Sequence, residues 1–246
     1  MKATETLGPI FSSANTHRGL ILMNPFNPPL QIELKEKYKF RIILDETWSF
    51  GVLGRTGRGL TEAQHVDPSQ VDMIIGSLAG PLCAGGGFCA GPKDVVEHQR
   101  VSSASFTFSA ALPAMLAVTA SETLNMLQSN PDVISLCREN IKVMRAQLDP
   151  RSDWVTCTSA PENPILLLVL KPTVIHARAL TIEDQEKLLQ ECTDEALANG
   201  LKVGSWEMQP ALKVCVTTGL SKREIEKAGT SIRHAITRVM SRKGNN

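Results

Sequence analysis

The sequence predicts an α/β fold, with a parallel-sheet domain first and a small β/α domain appended to it. Three observations carry this. Phe40 to Leu44 (FRIIL) and Met73 to Gly76 are continuous apolar runs, as in parallel strands covered on both faces. Helix-length segments with apolar periodicity follow the second of them. After Asp149-Pro150 the character changes to short strands alternating with helices that carry explicit start signals. The chain therefore divides into an irregular segment 1–18, a partial large domain 19–150 and a small domain 151–246.

Taken in order, residues 1–18 carry Gly8-Pro9 and Ser12-Ser13 and read as irregular. Gly19 to Met23 is a short apolar strand, and Asn24 to Pro29 is punctuation. Leu30 to Tyr38 is a short helix with Lys and Glu outward. Asp67-Pro68-Ser69-Gln70 turns the chain into the strand at Met73. Residues 76–91 (GSLAGPLCAGGGFCAG) are rich in small residues, so backbones must approach something closely there. A helix spans about Pro92 to Ser102, and Ser105 to Ser109 reads as a strand. Leu112-Pro113 opens a helix to about Gln128, and Asn130-Pro131-Asp132 opens another to Leu148. Ile165 to Leu170 is a strand after a Pro-bounded loop. Thr181, with Asp184 three residues on, caps a helix that Gly200 stops. Leu201 to Trp206 and Leu212 to Thr217 are strands, and Ser221 with Glu224 forms a capping box for the last helix.

Composition narrows the function. The 246 residues carry a formal net charge of +1 and no basic stripe with interleaved aromatics, which disfavours a nucleic-acid partner. The six cysteines show no C-x-x-C spacing, so zinc and a disulfide framework are both disfavoured and a reducing compartment fits. No apolar run approaches the ~20 residues of a spanning helix, and no charged-then-apolar leader opens the chain. Cys83 and Cys89 read as small core residues.

The chemistry centres on Asp45 to Gly59, DETWSFGVLGRTGRG. A buried strand delivers two acids, and Gly51, Gly54, Gly57 and Gly59 follow. The G-x-G-x-x-G order is absent and the acids precede the glycines, which argues against a nicotinamide cofactor. Ligands of open α/β sheets bind at the carboxyl ends of strands. An acid at that place either caps the loop or faces a protonated ring nitrogen, as pyridoxal phosphate requires. That cofactor also needs a lysine. The loop after the next strand, Gly76 to Leu82, contains none, and Lys93 beyond it reads as a solvated surface lysine.

These stretches resemble the α-oxoamine synthase family, class II aminotransferase-like enzymes that use pyridoxal phosphate to condense an amino acid with an acyl-CoA. Asp45 to Gly59 is similar to that family's D-E-A-H-S-x-G-x-x-G-x-x-G-R-G, and Gly76 to Phe88 to its G-T-x-x-K-x-x-G-x-x-G-G-[YF]. The resemblance implies pyridoxal-phosphate-transferase fold type I, with an incomplete large domain and a small C-terminal one. By that correspondence Asp45 is the acid facing the ring nitrogen, Trp48 stands where the family has His, and Gly80 stands at the lysine position. Ala211 to Ser221 is similar to the substrate-carboxylate segment, with Lys213 in place of Arg and Leu220 in place of His.

The losses themselves resemble the catalytically silent members of the family, which work beside a lysine-bearing second subunit. Phe108-Ser109-Ala110 matches a segment that reaches the partner's cofactor phosphate, and Ser109 keeps the hydroxyl. A helix-entry turn is the structural reading of that residue. The resemblance implies a heterodimer at the cytoplasmic face of the endoplasmic reticulum. Pyridoxal phosphate would be held by the partner, and the complex would condense L-serine with a fatty acyl-CoA to 3-ketosphinganine. This chain alone would be inactive and would bind no metal. A regulatory fragment that sequesters the second subunit is an alternative, and a stand-alone acyltransferase is disfavoured by the missing lysine. Nothing before Gly19 resembles the family's N-terminal half. Apolar faces are therefore expected to lie uncovered, and the isolated chain is expected to aggregate or behave as a molten species. Trp48 is expected to fill the space of a cofactor ring.

Overall fold

The computed structural model describes residues 10–12, 28–205 and 209–242. The strand expected at Gly19 to Met23 and the end of the one expected at Leu201 to Trp206 lie outside these residues. Two compact units are present, the first running to Ile134 and the second beginning at Ser135. The break falls upstream of the Pro150 boundary read from the sequence.

The first unit is built on a sheet in the order β1 (Ile10–Ser12), β2 (Arg41–Asp45), β3 (Met73–Ser77), β4 (Gly87–Ala90). β2 runs parallel to β1 and to β3, as its continuous branched sequence predicts. β1 falls inside the segment expected to be irregular. β3 and β4 form an antiparallel hairpin that the sequence reading did not anticipate. The glycines between them serve the expected close approaches only in part: a Cβ on Gly76 would overlap the Phe88 ring, while one on Gly80 would meet nothing within 4 Å.

Helix α1 (Pro28–Tyr38) precedes β2, and the four-residue α2 (Leu60–Ala63) follows the glycine loop. Then come α3 (Lys93–Ser102), α4 (Ala104–Phe108) and α5 (Ala114–Ser129). α4 corrects the strand expected at Ser105 to Ser109. The Ser103 hydroxyl accepts from the Phe106 N–H at 3.4 Å, so the stretch begins with a helix N-cap that its aromatic and β-branched residues disguise. Core is sparse in this unit. Phe40, Ile42, Leu44, Leu60 and Val71 form one cluster, and Leu78, Leu82 and Ala120 form another.

The second unit holds α6 (Asp132–Leu148) from Ser135 onward and an antiparallel sheet in the order β5 (Val155–Cys157), β6 (Ile165–Leu170), β8 (Leu212–Cys215), β7 (Gly204–Ser205). β5 lies in the expected Pro-bounded loop, and β7 is shorter than the strand expected there. Three helices complete it: α7 (Pro172–Arg178), α8 (Ile182–Ala198) and α9 (Lys222–Met240). Both expected capping boxes are present, Thr181 with Asp184 and Ser221 with Glu224. The apolar stripe of α9 (Ile225, Ile232, Ile236, Val239) and Leu189 of α8 pack with Leu166, Leu168 and Leu170 of β6 in one continuous core.

Candidate functional site

β2 ends at Asp45, and the chain then makes a tight turn. The Asp45 Oδ1 accepts from the Thr47 N–H at 2.9 Å, and the Glu46 carbonyl accepts from Ser49 and Phe50 at 3.1 and 2.9 Å. The carboxylate is thus held by its own turn at the carboxyl end of a parallel strand, where ligands of such sheets bind. Trp48 belongs to this turn, with 37% of its surface exposed.

The glycine loop closes on itself. Gly51 N–H donates to the Gly57 carbonyl at 2.7 Å, and Gly59 N–H to the Leu53 carbonyl at 3.0 Å. Two carboxylates hold it. Glu62 accepts from the Thr56 N–H at 3.1 Å, the Thr56 hydroxyl at 2.9 Å and the Arg58 N–H at 3.1 Å. Burial works to raise its pKa, but the hydrogen bonds from Arg58 and Thr56 prevail and hold it below the ordinary glutamate value.

Glu46 is only 1% exposed. Its carboxylate accepts from the Leu60 N–H at 2.9 Å, from the Thr61 N–H at 3.4 Å and from the Ser49 hydroxyl. Burial pushes its pKa up, against the lowering effect of those three donors. Gly59 lies against this carboxylate with a φ of +91°, so a side chain there would be strained and would overlap it. Neither Glu46 nor Glu62 was singled out from the sequence. The signal was an acid on each side of a run of glycines, whose buried N–H groups require acceptors.

Asp72 works at the other end of β2. It accepts from the Ile42 N–H at 2.9 Å and pairs with Arg41 at 2.7 Å and Lys35 at 2.9 Å. Burial works to raise its pKa as well, but the Ile42 N–H and the two cations keep it below the ordinary aspartate value.

The structure brings the two sequence motifs together. Phe50 of the first and Phe88 of the second meet edge to face at 5.4 Å, and a Cβ on Gly51 would overlap the Pro81 ring. Gly80 lies on the β3–β4 hairpin loop, exposed, with its carbonyl accepting from the Cys83 N–H at 3.1 Å. Ser109 lies exposed just past α4, and its hydroxyl donates to the Ser105 carbonyl. Lys213 belongs to the second unit, on β8, with its side chain opposite the face that buries Leu212 and Val214. Lys93 and His98 are exposed on α3. Cys83 is exposed with a φ of +52° and Cys89 is half-buried, which corrects their expected place in the core.

Among the described residues, Asp45 offers an acid at a strand end that suits a pyridoxal ring nitrogen, while the position that the resemblance assigns to the lysine, Gly80, carries no amine. Among the described residues, no group of His, Cys, Asp and Glu could hold a metal ion, and no helix is long and apolar enough to cross a membrane.

The chain is 36% identical to serine palmitoyltransferase 1 of Dictyostelium discoideum over 81% of its length, and 33% identical to long chain base biosynthesis protein 1 of Arabidopsis thaliana over 85%. It spans 44% of the length of each of these relatives. Among solved structures, the serine palmitoyltransferase of Sphingomonas wittichii superposes with a TM-score of 0.76 at 18% identity, over 94% of this chain and 54% of that one. A serine palmitoyltransferase solved with pyridoxal phosphate gives 0.76 at 17% identity, over 94% of this chain and 55% of that one. The 8-amino-7-oxononanoate synthase of Francisella tularensis gives 0.64 at 19%, over 89% and 62%. These likenesses show the fold. Residues 30–232 match the model for aminotransferase class I and II, and the chain belongs to that family.

Proposed function

We propose that this chain is a non-catalytic subunit of a serine palmitoyltransferase and works as one half of a heterodimer. The single observation that carries the reading is Gly80. The two motif stretches that the resemblance assigns to the cofactor site pack on each other, and the position it assigns to the lysine is a glycine whose missing Cβ leaves open space. An intact scaffold without its amine suits a chain whose chemistry is supplied from elsewhere.

In this reading the lysine-bearing second subunit holds pyridoxal phosphate. The cofactor supplies the electron sink for condensing L-serine with a fatty acyl-CoA to 3-ketosphinganine in sphingolipid biosynthesis. The present chain contributes surface and polar groups. Asp45 remains as the acid of the old site, Trp48 stands beside it, Ser109 is offered to the partner's phosphate, and Lys213 is a cation for the substrate carboxylate. The exposed apolar residues Val101, Phe106, Phe108 and Leu112, which flank Ser109, support a covered interface there. The complex would work at the cytoplasmic face of the endoplasmic reticulum.

Co-expression with a lysine-bearing second subunit tests this. Co-purification is expected, followed by serine-dependent release of CoA from palmitoyl-CoA that neither chain gives alone. Failure to co-purify would overturn the reading. A complex that forms but suppresses the second subunit's turnover would replace it with a sequestering role. A cofactor absorbance band in this chain alone would point instead to a stand-alone enzyme.

A further inference from the structure

We propose that Glu46 is the positioning residue of this site. Its buried carboxylate ties the turn that carries Asp45 and Trp48 to the first turn of α2, so the direction of Asp45 is fixed by a contact fourteen residues along the chain. The inference rests on the reading of Asp45 as the acid of the cofactor site.

The geometry leaves Glu46 no other task. At 1% exposure it cannot touch a ligand. Among the described residues, the groups bonded to its two oxygens are donors: the Ser49 hydroxyl and the Leu60 and Thr61 N–H groups. A carboxylate is acceptor-only and matches this set, whereas an amide would set its own N–H₂ against donors. The main chain of Glu46 completes the tie. Its N–H donates to the Ile75 carbonyl at 2.7 Å, and its carbonyl receives Ser49 and Phe50. One residue thus joins β3, the turn and α2. Asp45 follows the turn, because its Oδ1 is bonded to the N–H of Thr47 inside it. Gly59 supports the device by letting the backbone lie against the carboxylate.

Charged groups do not account for the effect. Among the described residues, the charged residue that acts on Glu46 is Asp45, which is adjacent in sequence and repels it. The clamp uses acceptors at both carboxylate oxygens, and Glu46→Gln replaces one of them with a donor at nearly constant volume.

The test uses the full chain and compares wild type with E46Q and the milder S49A by amide hydrogen exchange. In E46Q, exchange at Thr47, Leu60 and Thr61 is expected to rise roughly tenfold or more, the factor that loss of a buried hydrogen bond carries. The ladder amides of β2 and β3 are expected to stay within about threefold of wild type. S49A is expected to give a smaller rise at Thr47. In the complex with the lysine-bearing second subunit, E46Q is expected to leave co-purification unchanged. A uniform rise through the sheet makes Glu46 a general stabiliser and overturns the proposal. So does unchanged exchange at Thr47 in both variants. If wild type forms no complex, the proposed function fails instead, and exchange at Thr47 still decides the role of Glu46.

Discussion

The two units of this chain solve the burial problem differently. In the second, a long amphipathic helix and two shorter faces close over an antiparallel sheet, and Leu166, Leu168, Ile225 and Ile236 are all at or near zero exposure. In the first, a mixed sheet meets helices that leave large apolar side chains exposed. Val101, Phe106, Phe108, Met115, Val118 and Met126 stand exposed, with Phe108 at 87%. The second unit has the core of a self-sufficient domain. The first holds its functional loops in place with carboxylates more than with apolar contacts: Asp72 at the entry to β2, Glu46 at its exit and Glu62 across the glycine loop. An apolar core tolerates changes that conserve volume, whereas a carboxylate clamp fails when one oxygen is lost.

The largest expected effect breaks the second unit alone. Leu168 is fully buried on β6, and Leu168→Ala should cost about 2–5 kcal/mol. Urea unfolding followed by Trp154 fluorescence should lose that much, while exchange protection of the β2–β3 ladder stays at its wild-type value. Loss of both together would show one cooperative body and no difference between the units.

A smaller effect belongs to the first unit and separates its two kinds of glycine. Gly59→Ala places a side chain at a φ of +91° and into the Glu46 carboxylate, so about 1–3 kcal/mol should be lost from that unit. Gly80→Ala meets open space and should stay within about 0.5 kcal/mol of wild type. Thermal melts of the two variants check this. Equal losses would mean that Gly80 is retained for its backbone, and the reading of it as a vacated lysine position would weaken.

Much of this was legible in the sequence, and the misses have physical causes. β6 and the boxes at Thr181 and Ser221 are local patterns, and they appear where their residues placed them. β2 reads as a parallel strand because its apolar run leaves no solvent face. α4 was misread because Phe106, Thr107 and Phe108 favour strands and are exposed, so no periodic burial marks them as helical. The resemblance singled out Asp45 and Gly80. Glu46 and Glu62 were not singled out, because their partners are backbone N–H groups up to fifteen residues away, and such groups leave no mark on composition.

Acid should act more strongly on the first unit. The pKa values of Asp72 and Glu62 are lowered in the fold, so their stabilisation is present above the ordinary carboxylate values and is lost as pH falls through the folded ones. Glu46 runs the other way. Its pKa is raised, so its share is full below the ordinary glutamate value and declines as pH rises through the folded one. Asp184 and Glu224 of the second unit are also lowered, but both are exposed caps whose effect solvent screens. Urea midpoints of each unit, taken between about pH 3 and 6, should fall more steeply for the first. Asp72→Asn should flatten that slope while lowering the midpoint near neutrality. Parallel slopes in the two units would mean that the clamps contribute no more than the caps.

The smallest expected effect bears most directly on why the first unit is bare. Met115, Val118 and Met126 lie with Glu122 along one stripe of α5, while Ala120, Leu124 and Leu127 of the opposite stripe pack on Leu78 and Leu82. Helices that are apolar on both stripes belong inside larger assemblies. Val118 is 67% exposed, so Val118→Ser should change the unfolding free energy of the isolated chain by no more than about 0.5 kcal/mol. Its visible result should be a higher concentration threshold for aggregation, read by light scattering, because an exposed apolar stripe associates with itself when nothing covers it. In a complex that covers the stripe, the same substitution should weaken assembly. A cost near that of Leu168→Ala in the isolated chain would show that the chain covers the stripe itself. The apolar surface would then be core, and the first unit would differ from the second in degree only.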